Sequence, residues 1–160
     1  MKWHVLYLRP RTEKKVALVC RKFGIDHFLP LREETKVYQR RRVTVHKPLF
    51  SGYIFAAFGD EQRVLLQRTN HLLRLLEPDD EAAFLHNLEQ IRLALAADPK
   101  LEAEATFREG RLVRIKAGAF AGIEGVLSTV RGKTQVRLNV ELIGQSVALD
   151  VDREMIEFLD

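Results

Sequence analysis

The apolar positions change period several times along the chain, and each change marks an element. Residues 3–8, Trp3-His4-Val5-Leu6-Tyr7-Leu8, form a short β-prone run closed by Arg9-Pro10, because proline lacks the N–H that would extend a ladder. Thr12 is placed to cap a helix in which Val16, Val19, Cys20 and Phe23 recur at helical spacing, with Gly24 as its stop. Residues 25–29 read as a second strand ended by Pro30. From Thr35 to Val45 the chain alternates, with Val37, Val43 and Val45 on one parity, and Gln39-Arg40-Arg41-Arg42 in the middle reads as a basic hairpin tip although no Gly or Asn marks a turn. Residues 52–58 are strongly β-prone, Asp60 is placed to cap a short helix through Arg68, and residues 71–76 read as another strand. Pro78-Asp79 then opens a longer helix whose expected buried stripe is Phe84, Leu88, Ile91 and Leu95. The order β-α-β-β-β-α-β-α predicts an α+β sandwich, an antiparallel sheet with helices packed on it.

Residues 98–109 lose this periodicity and turn acidic and Ala-rich, the composition of an interdomain linker that could extend the preceding helix. Beyond them the period becomes two. Residues 112–115, 125–130, 134–142 and 146–151 read as short strands, with Arg131-Gly132 as a hairpin turn. Several short strands in so few residues predict a small all-β barrel, since closure removes exposed strand edges. The expected organisation is thus a domain over 1–97, a linker over 98–109 and a barrel domain over 110–160.

Charge sharpens the first half of this picture. The net charge of +4 hides an asymmetry: residues 1–48 carry 13 Lys/Arg against 4 Asp/Glu, and residues 49–97 carry 4 against 7. Such a basic end attracts nucleic acid or an acidic protein face. Candidate chemistry is sparse. The histidines at 4, 27, 46, 71 and 86 have no metal-ligand spacing, and no Walker-type loop, dinucleotide fingerprint or GxSxG elbow occurs. The Asp79-Asp80-Glu81 cluster sits at a helix start, where the helix dipole accounts for it. Cys20, the one cysteine, excludes an internal disulfide framework and falls on the apolar helix face as a buried, inert thiol. No apolar run approaches the roughly 18 residues of a membrane span, and the N-terminus enters a patterned segment without a signal-peptide architecture. The expectation is a cytoplasmic, soluble, monomeric protein that is not an enzyme and uses no cofactor or metal.

Three stretches bring a family into view. Residues 3–17, beginning Trp3-His4-Val5-Leu6-Tyr7, and residues 47–55, Lys47-Pro48-Leu49-Phe50-Ser51-Gly52-Tyr53-Ile54-Phe55, resemble NusG-type transcription factors. Residues 110–126, running from Gly110-Arg111-Leu112 through Gly118, Gly122 and Gly125, resemble the KOW motif, whose glycines allow positive φ or close backbone approach. The two halves occur in the family's order and cover almost the whole chain. The resemblance implies an SH3-like KOW barrel behind a NusG N-terminal-type domain. It implies a transcription elongation or antitermination factor whose N-terminal domain docks on the clamp helices of RNA polymerase and suppresses pausing. The barrel then recruits a second partner, commonly ribosomal protein S10 or termination factor Rho.

Carried onto this chain, the resemblance makes Tyr7, Phe50, Tyr53 and Phe55 the polymerase-binding residues. Arg9, Arg11, Lys14, Lys15, Arg40, Arg41 and Arg42 would face non-template or upstream DNA, and Leu142, Ile143 and Gly144 would meet the second partner. Ser51 stands where the family usually has proline, and residues 68–73 lack a glycine usual before the last helix. These departures suggest a specialised, RfaH-like paralogue of the antitermination type. Some such relatives fold the second domain as a helical hairpin, whereas the β-type alternation here favours the barrel. The runner-up reading, from a different class, is a ribosome-associated or RNA-binding KOW protein with no polymerase role.

Overall fold

The computed structural model describes residues 1–160. By contact the chain divides into two units, Met1–Glu81 and Ala82–Asp160. In the first, β1 (Lys2–Leu8), β2 (Asp26–Phe28), β5 (Tyr53–Phe58) and β6 (Leu72–Leu76) form an antiparallel sheet in the order β2-β5-β1-β6. Helices α1 (Glu13–Lys22) and α2 (Asp60–Gln67) accompany it, and β3 (Leu31–Tyr38) and β4 (Arg41–Pro48) make a separate two-stranded arm.

The even-numbered residues of β1 and β5 build the core with the helices: Leu6, Leu8, Ile54, Ala56 and Phe58 pack with Val16, Cys20, Ile25 and Leu66. This is the period-two burial of a strand meeting the 3.6 period of a helix. Helix α1 stops as its sequence predicts. Gly24 lies at φ 65, its N–H donates to the Arg21 carbonyl, and the Ile25 N–H donates to the Cys20 carbonyl, the paired bonds of a Schellman stop. Two expectations fail at the ends of this helix. Thr12 occupies the cap position, but its hydroxyl donates back to the Arg9 carbonyl at 2.7 Å, and its oxygen accepts no N–H of the first helical turn. Phe23 is exposed, because it forms the cap itself and turns off the buried stripe, under the Lys22 ammonium.

The arm also departs from its expected pattern. Its tip is a two-residue turn, Gln39 and Arg40, with both residues at positive φ (47 and 65), the geometry of a type I′ turn that usually requires Asn or Gly. A two-residue turn pairs odd positions with even ones, Val37 with Arg42 and Lys36 with Val43. Val37 is therefore on the opposite face from Val43 and Val45, and Tyr38 shares the latter face.

The second unit holds α3 (Glu81–Ala97) and six strands: β7 (Ala103–Ala105), β8 (Leu112–Ile115), β9 (Glu124–Val130), β10 (Lys133–Val140), β11 (Gln145–Asp150) and β12 (Ile156–Phe158). They form one antiparallel sheet in the order β12-β8-β9-β10-β11-β7. Val113, Ile115, Ile123, Val136, Leu138, Val140, Val147, Leu149 and Ile156 are the buried apolar side chains of this unit's strands and turns. The fold class is the expected one, an antiparallel sheet with helices followed by a small all-β region. Three details differ. The strand expected through Leu142 ends at Val140 in a 3-10 turn (Glu141–Ile143), β12 had no sequence signal, and β7 arises inside the stretch expected to be linker. In α3 the last buried position is Ala94, not Leu95, and Gln90 is buried beside Ile91 because its carbonyl accepts the Glu124 N–H at 2.9 Å.

The KOW-type glycines serve both purposes expected of them. Gly118 and Gly122 have φ of 86 and 91, while a Cβ at Gly125 would lie 2.6 Å from the Arg137 carbonyl oxygen. We expect Gly125→Ala to lower the stability of the second unit by roughly 1–3 kcal/mol through overpacking, read as an earlier urea midpoint. An unchanged midpoint would mean that β9 and β10 separate freely.

Burial pushes the Cys20 thiol up from its ordinary 9.0 to about 11. A folded-state pKa above the unfolded one contributes stability that is complete below the unfolded value and is lost as pH rises through about 11. Cys20 should thus resist a thiol reagent at neutral to mildly alkaline pH until the protein unfolds. Fast modification of folded protein would reveal local opening of α1.

Candidate functional site

The ladder between β1 and β5 runs in register from Lys2 opposite Phe58 to Tyr7 opposite Tyr53. Its odd-numbered face carries Tyr7, Tyr53 and Phe55, and Phe50 lies in the turn that precedes β5. Tyr7 and Tyr53 meet at the ladder's end with ring centroids 5.1 Å apart, and Tyr7 is 40% exposed while Tyr53 is half-buried. Phe50 and Phe55 are buried: their rings meet edge-on at 6.2 Å, and Phe28 stacks on Phe55 at 6.3 Å. The four residues fall into two pairs, an exposed Tyr7–Tyr53 pair and a buried Phe50–Phe55 pair, linked through Tyr53 and Phe55 on one strand.

A tight turn sets this arrangement. The Tyr53 N–H donates to the Phe50 carbonyl across Ser51 and Gly52, and Gly52 has φ 87, the type II pattern in which the third residue must tolerate positive φ. The Tyr7 ring lies close over this glycine, where a Cβ would come within 3.3 Å. The Gly52 N–H donates to a buried carboxylate oxygen of Glu13 at 2.9 Å, and its carbonyl accepts the Leu8 N–H at 2.8 Å. Glu13 thereby ties the start of α1 to the aromatic turn, at the helix end where negative charge is favoured. Sequence reading missed Glu13, since a first-turn acid is ordinary in any helix.

The cations form two groups. Arg9 donates through Nε to the Asn70 carbonyl at 2.8 Å, Arg11 sits exposed at φ 64, and Lys14 donates to the His46 carbonyl at 2.7 Å. Arg11, Lys14, His46, Lys47 and Ser51 line a cleft of about 520 Å³ beside the start of α1, with Glu13 at its wall. Lys15 is exposed one residue further along α1. His46 and Lys47 were not among the expected residues, since only the β3–β4 register brings them to α1. Lys47 also pairs with Glu34 at 2.7 Å and, with the nearby cations, holds that carboxyl below its ordinary range. The Arg40-Arg41-Arg42 group encircles the tip of the arm. Arg40 is in the turn, Arg41 shares a face with Tyr38 and Arg42 shares the other with Val37, all of them exposed.

In the second unit, Leu142 and Ile143 are half-buried within the 3-10 turn, and Gly144 closes it at φ 66. A separate cleft of about 500 Å³ is lined by Phe120, Lys133, Asp150, Asp152 and Met155. The histidines are dispersed: His4 stacks on Phe58 at 4.1 Å beside Glu77, His27 bonds to the Ile25 carbonyl, and His46 and His86 lie near Glu33 and Glu124. No helix is long and apolar enough to cross a membrane.

Comparison with known proteins places this arrangement in a family. No curated protein matches the chain. The solved structure described as the crystal structure of the MjSpt4:Spt5 complex in conformation B aligns over 99% of this chain and 97% of its own, at 14% identity and a TM-score of 0.33. The family model described as transcription termination factor NusG matches residues 1–93, more than half of the chain and all of the strands and cations around the paired tyrosines. The chain therefore belongs to the NusG family of transcription factors.

Proposed function

We propose that this protein is an elongation and antitermination factor that acts by binding rather than by catalysis. Its N-terminal domain docks on the clamp helices of RNA polymerase and suppresses pausing or termination, and its second domain recruits a further partner such as ribosomal protein S10 or Rho. The observation that carries this reading is the Tyr7–Tyr53 pair. It is an amphipathic aromatic surface held at the end of a sheet ladder, next along the same strand face to Phe55, whose ring meets Phe50 edge-on. Exposed tyrosines over a packed base are the residue type that anchors interfaces, with apolar area and a polar rim in one side chain. A helical hairpin tip is the kind of convex partner such a surface accepts. The place of action is the cytoplasm, where the polymerase works.

The cationic cleft at the start of α1 and the arginine-ringed arm lie in the same unit. Long flexible cations of this kind bind phosphates without reading bases, which suits a factor that follows polymerase along many sequences. Leu142, Ile143 and Gly144 would present an apolar edge to the second partner. Ser51 at the turn and the missing glycine in residues 68–73 favour a specialised paralogue over a general factor.

Replacing both tyrosines, Tyr7→Ala/Tyr53→Ala, should weaken polymerase binding at least tenfold, a hot-spot effect of about 2 kcal/mol or more, with the thermal melt little changed. Phe50 and Phe55 are unsuitable for this test, since a cavity in their place costs roughly 3–5 kcal/mol of stability. A folded double variant with undiminished affinity overturns the docking face. Capture of ribosomal RNA without polymerase subunits would favour the ribosome-associated alternative.

Arg40→Ala/Arg41→Ala/Arg42→Ala should make binding to the elongation complex less salt-sensitive. Each lost duplex phosphate contact removes about 0.9 from the slope of log K against log salt. An unchanged slope would leave the arm as a solvated hairpin.

A further inference from the structure

Helix α1 carries two stripes. Val16 and Cys20 turn into the core, and a second stripe of Lys14, Ala17, Leu18 and Arg21 recurs at i, i+3, i+4 and i+7, one face of a helix. This second stripe lines a cleft of about 400 Å³, whose other side is formed by the segment where β2 passes into β3. Ala17 and Leu29 pack against the core cluster, so the floor of the cleft is apolar and fixed. Leu31, half-buried, completes it. Leu18 behaves differently. It stands 61% exposed beside this floor, the most exposed apolar residue of the helix.

The charges around the cleft have one sign. Lys14 and Arg21 lie one turn before and one turn after Leu18, and both are exposed. Neither has a carboxylate partner, and Lys14 meets only the His46 carbonyl. No acidic residue lines the cleft. The nearby Asp26 precedes His27 in β2 and so lies on the other face of that strand. His27 is fixed at the rim, since its Nδ1 donates to the Ile25 carbonyl at 2.9 Å. An exposed leucine between two cations, beside an apolar floor, has the apolar centre and charged rim of an interface. A nucleic acid would use the cations but not the leucine, and a small molecule in the cleft would leave Leu18 in water. A protein helix with an apolar stripe between carboxylates uses every one of these groups.

We infer that the cleft between α1 and the β2–β3 connection docks an acidic amphipathic helix of a partner protein. The partner's apolar stripe covers Leu18 and fills the cleft over Ala17, Leu29 and Leu31, and carboxylates on its flanks meet Lys14 and Arg21. This is recognition of a helix in a groove, with opposite charge steering the approach and fixing the register. Helix α1 covers the even-numbered side of the sheet, and Tyr7 and Tyr53 lie on the odd-numbered side. Occupying the cleft therefore leaves the tyrosine pair free, and the inference rests on no part of the polymerase reading.

The test uses the full chain and a displayed library of helical peptides, depleted on the Leu18→Ser chain and then selected on the unaltered one. Enriched peptides should carry an apolar i, i+3, i+4, i+7 stripe flanked by Asp or Glu. A fluorescein-labelled copy of the most enriched one, read by anisotropy, should bind the Arg21→Glu chain roughly tenfold more weakly than the unaltered chain. Its affinity should fall as salt rises, and replacing its glutamates by lysine should restore most of the binding to Arg21→Glu. Both altered side chains are exposed, so the thermal melts of Leu18→Ser and Arg21→Glu should match that of the unaltered chain. No enrichment, enrichment without acidic residues, or indifference to Arg21→Glu overturns the docking site. A short labelled DNA duplex whose affinity falls on Leu18→Ser as far as the peptide's does would overturn it too, by giving the face to nucleic acid.

Discussion

Tyr7 lies directly opposite Tyr53, and through the antiparallel ladder this single pairing dictates the face of every side chain in β1 and β5. Even positions meet α1 and α2 and odd positions carry the aromatic set. A slip of one residue would send Leu6 and Ile54 to the aromatic side and turn the tyrosines into the helices, exchanging all faces at once. The register is held from both ends. At one end Glu13 and Leu8 bind the backbone of Gly52, and at the other the Phe58 ring stacks on His4. The core and the candidate surface are thus two consequences of one register.

Much of this was legible from the chain itself, and the reason is locality. The period of β1 and β5, the Gly24 stop and the glycines near Gly118 and Gly125 are short-range signals that the fold realises. Spacing also shows that Tyr53 and Phe55 share a face. It does not say how deep each lies, and here Phe55 is enclosed by Phe28 and Phe50 while Tyr53 reaches the surface. Depth depends on what covers a face, which is a property of distant residues.

The misreadings have the same origin. The parity of Val37, Val43 and Val45 was legible only with the turn length in hand, and Gln39-Arg40 gives no turn signal of its own. Strand β7 is drawn from Ala and Glu, residues that favour helix. Its conformation is conferred by the free edge of β11 and by Asn139, far away in sequence. His46 and Lys47 join Arg11 and Lys14 for a comparable reason, since the arm folds their strand back to α1.

The turn of the arm has a consequence for how the chain acquires and keeps its shape. Gln39 and Arg40 both adopt the left-handed region without the side chains that make it easy, and an isolated two-stranded hairpin is at best marginally stable in water. The tip therefore cannot nucleate the arm. Pairing must start at the base, where Leu31 faces Pro48 and the Leu49 N–H meets the Pro30 carbonyl, and travel outward against rising backbone strain. Such an element is expected to open first at its basic end. Its outer ladder can open and re-form while the sheet behind it stays intact, so the arginines can change their spacing without disturbing the tyrosine pair.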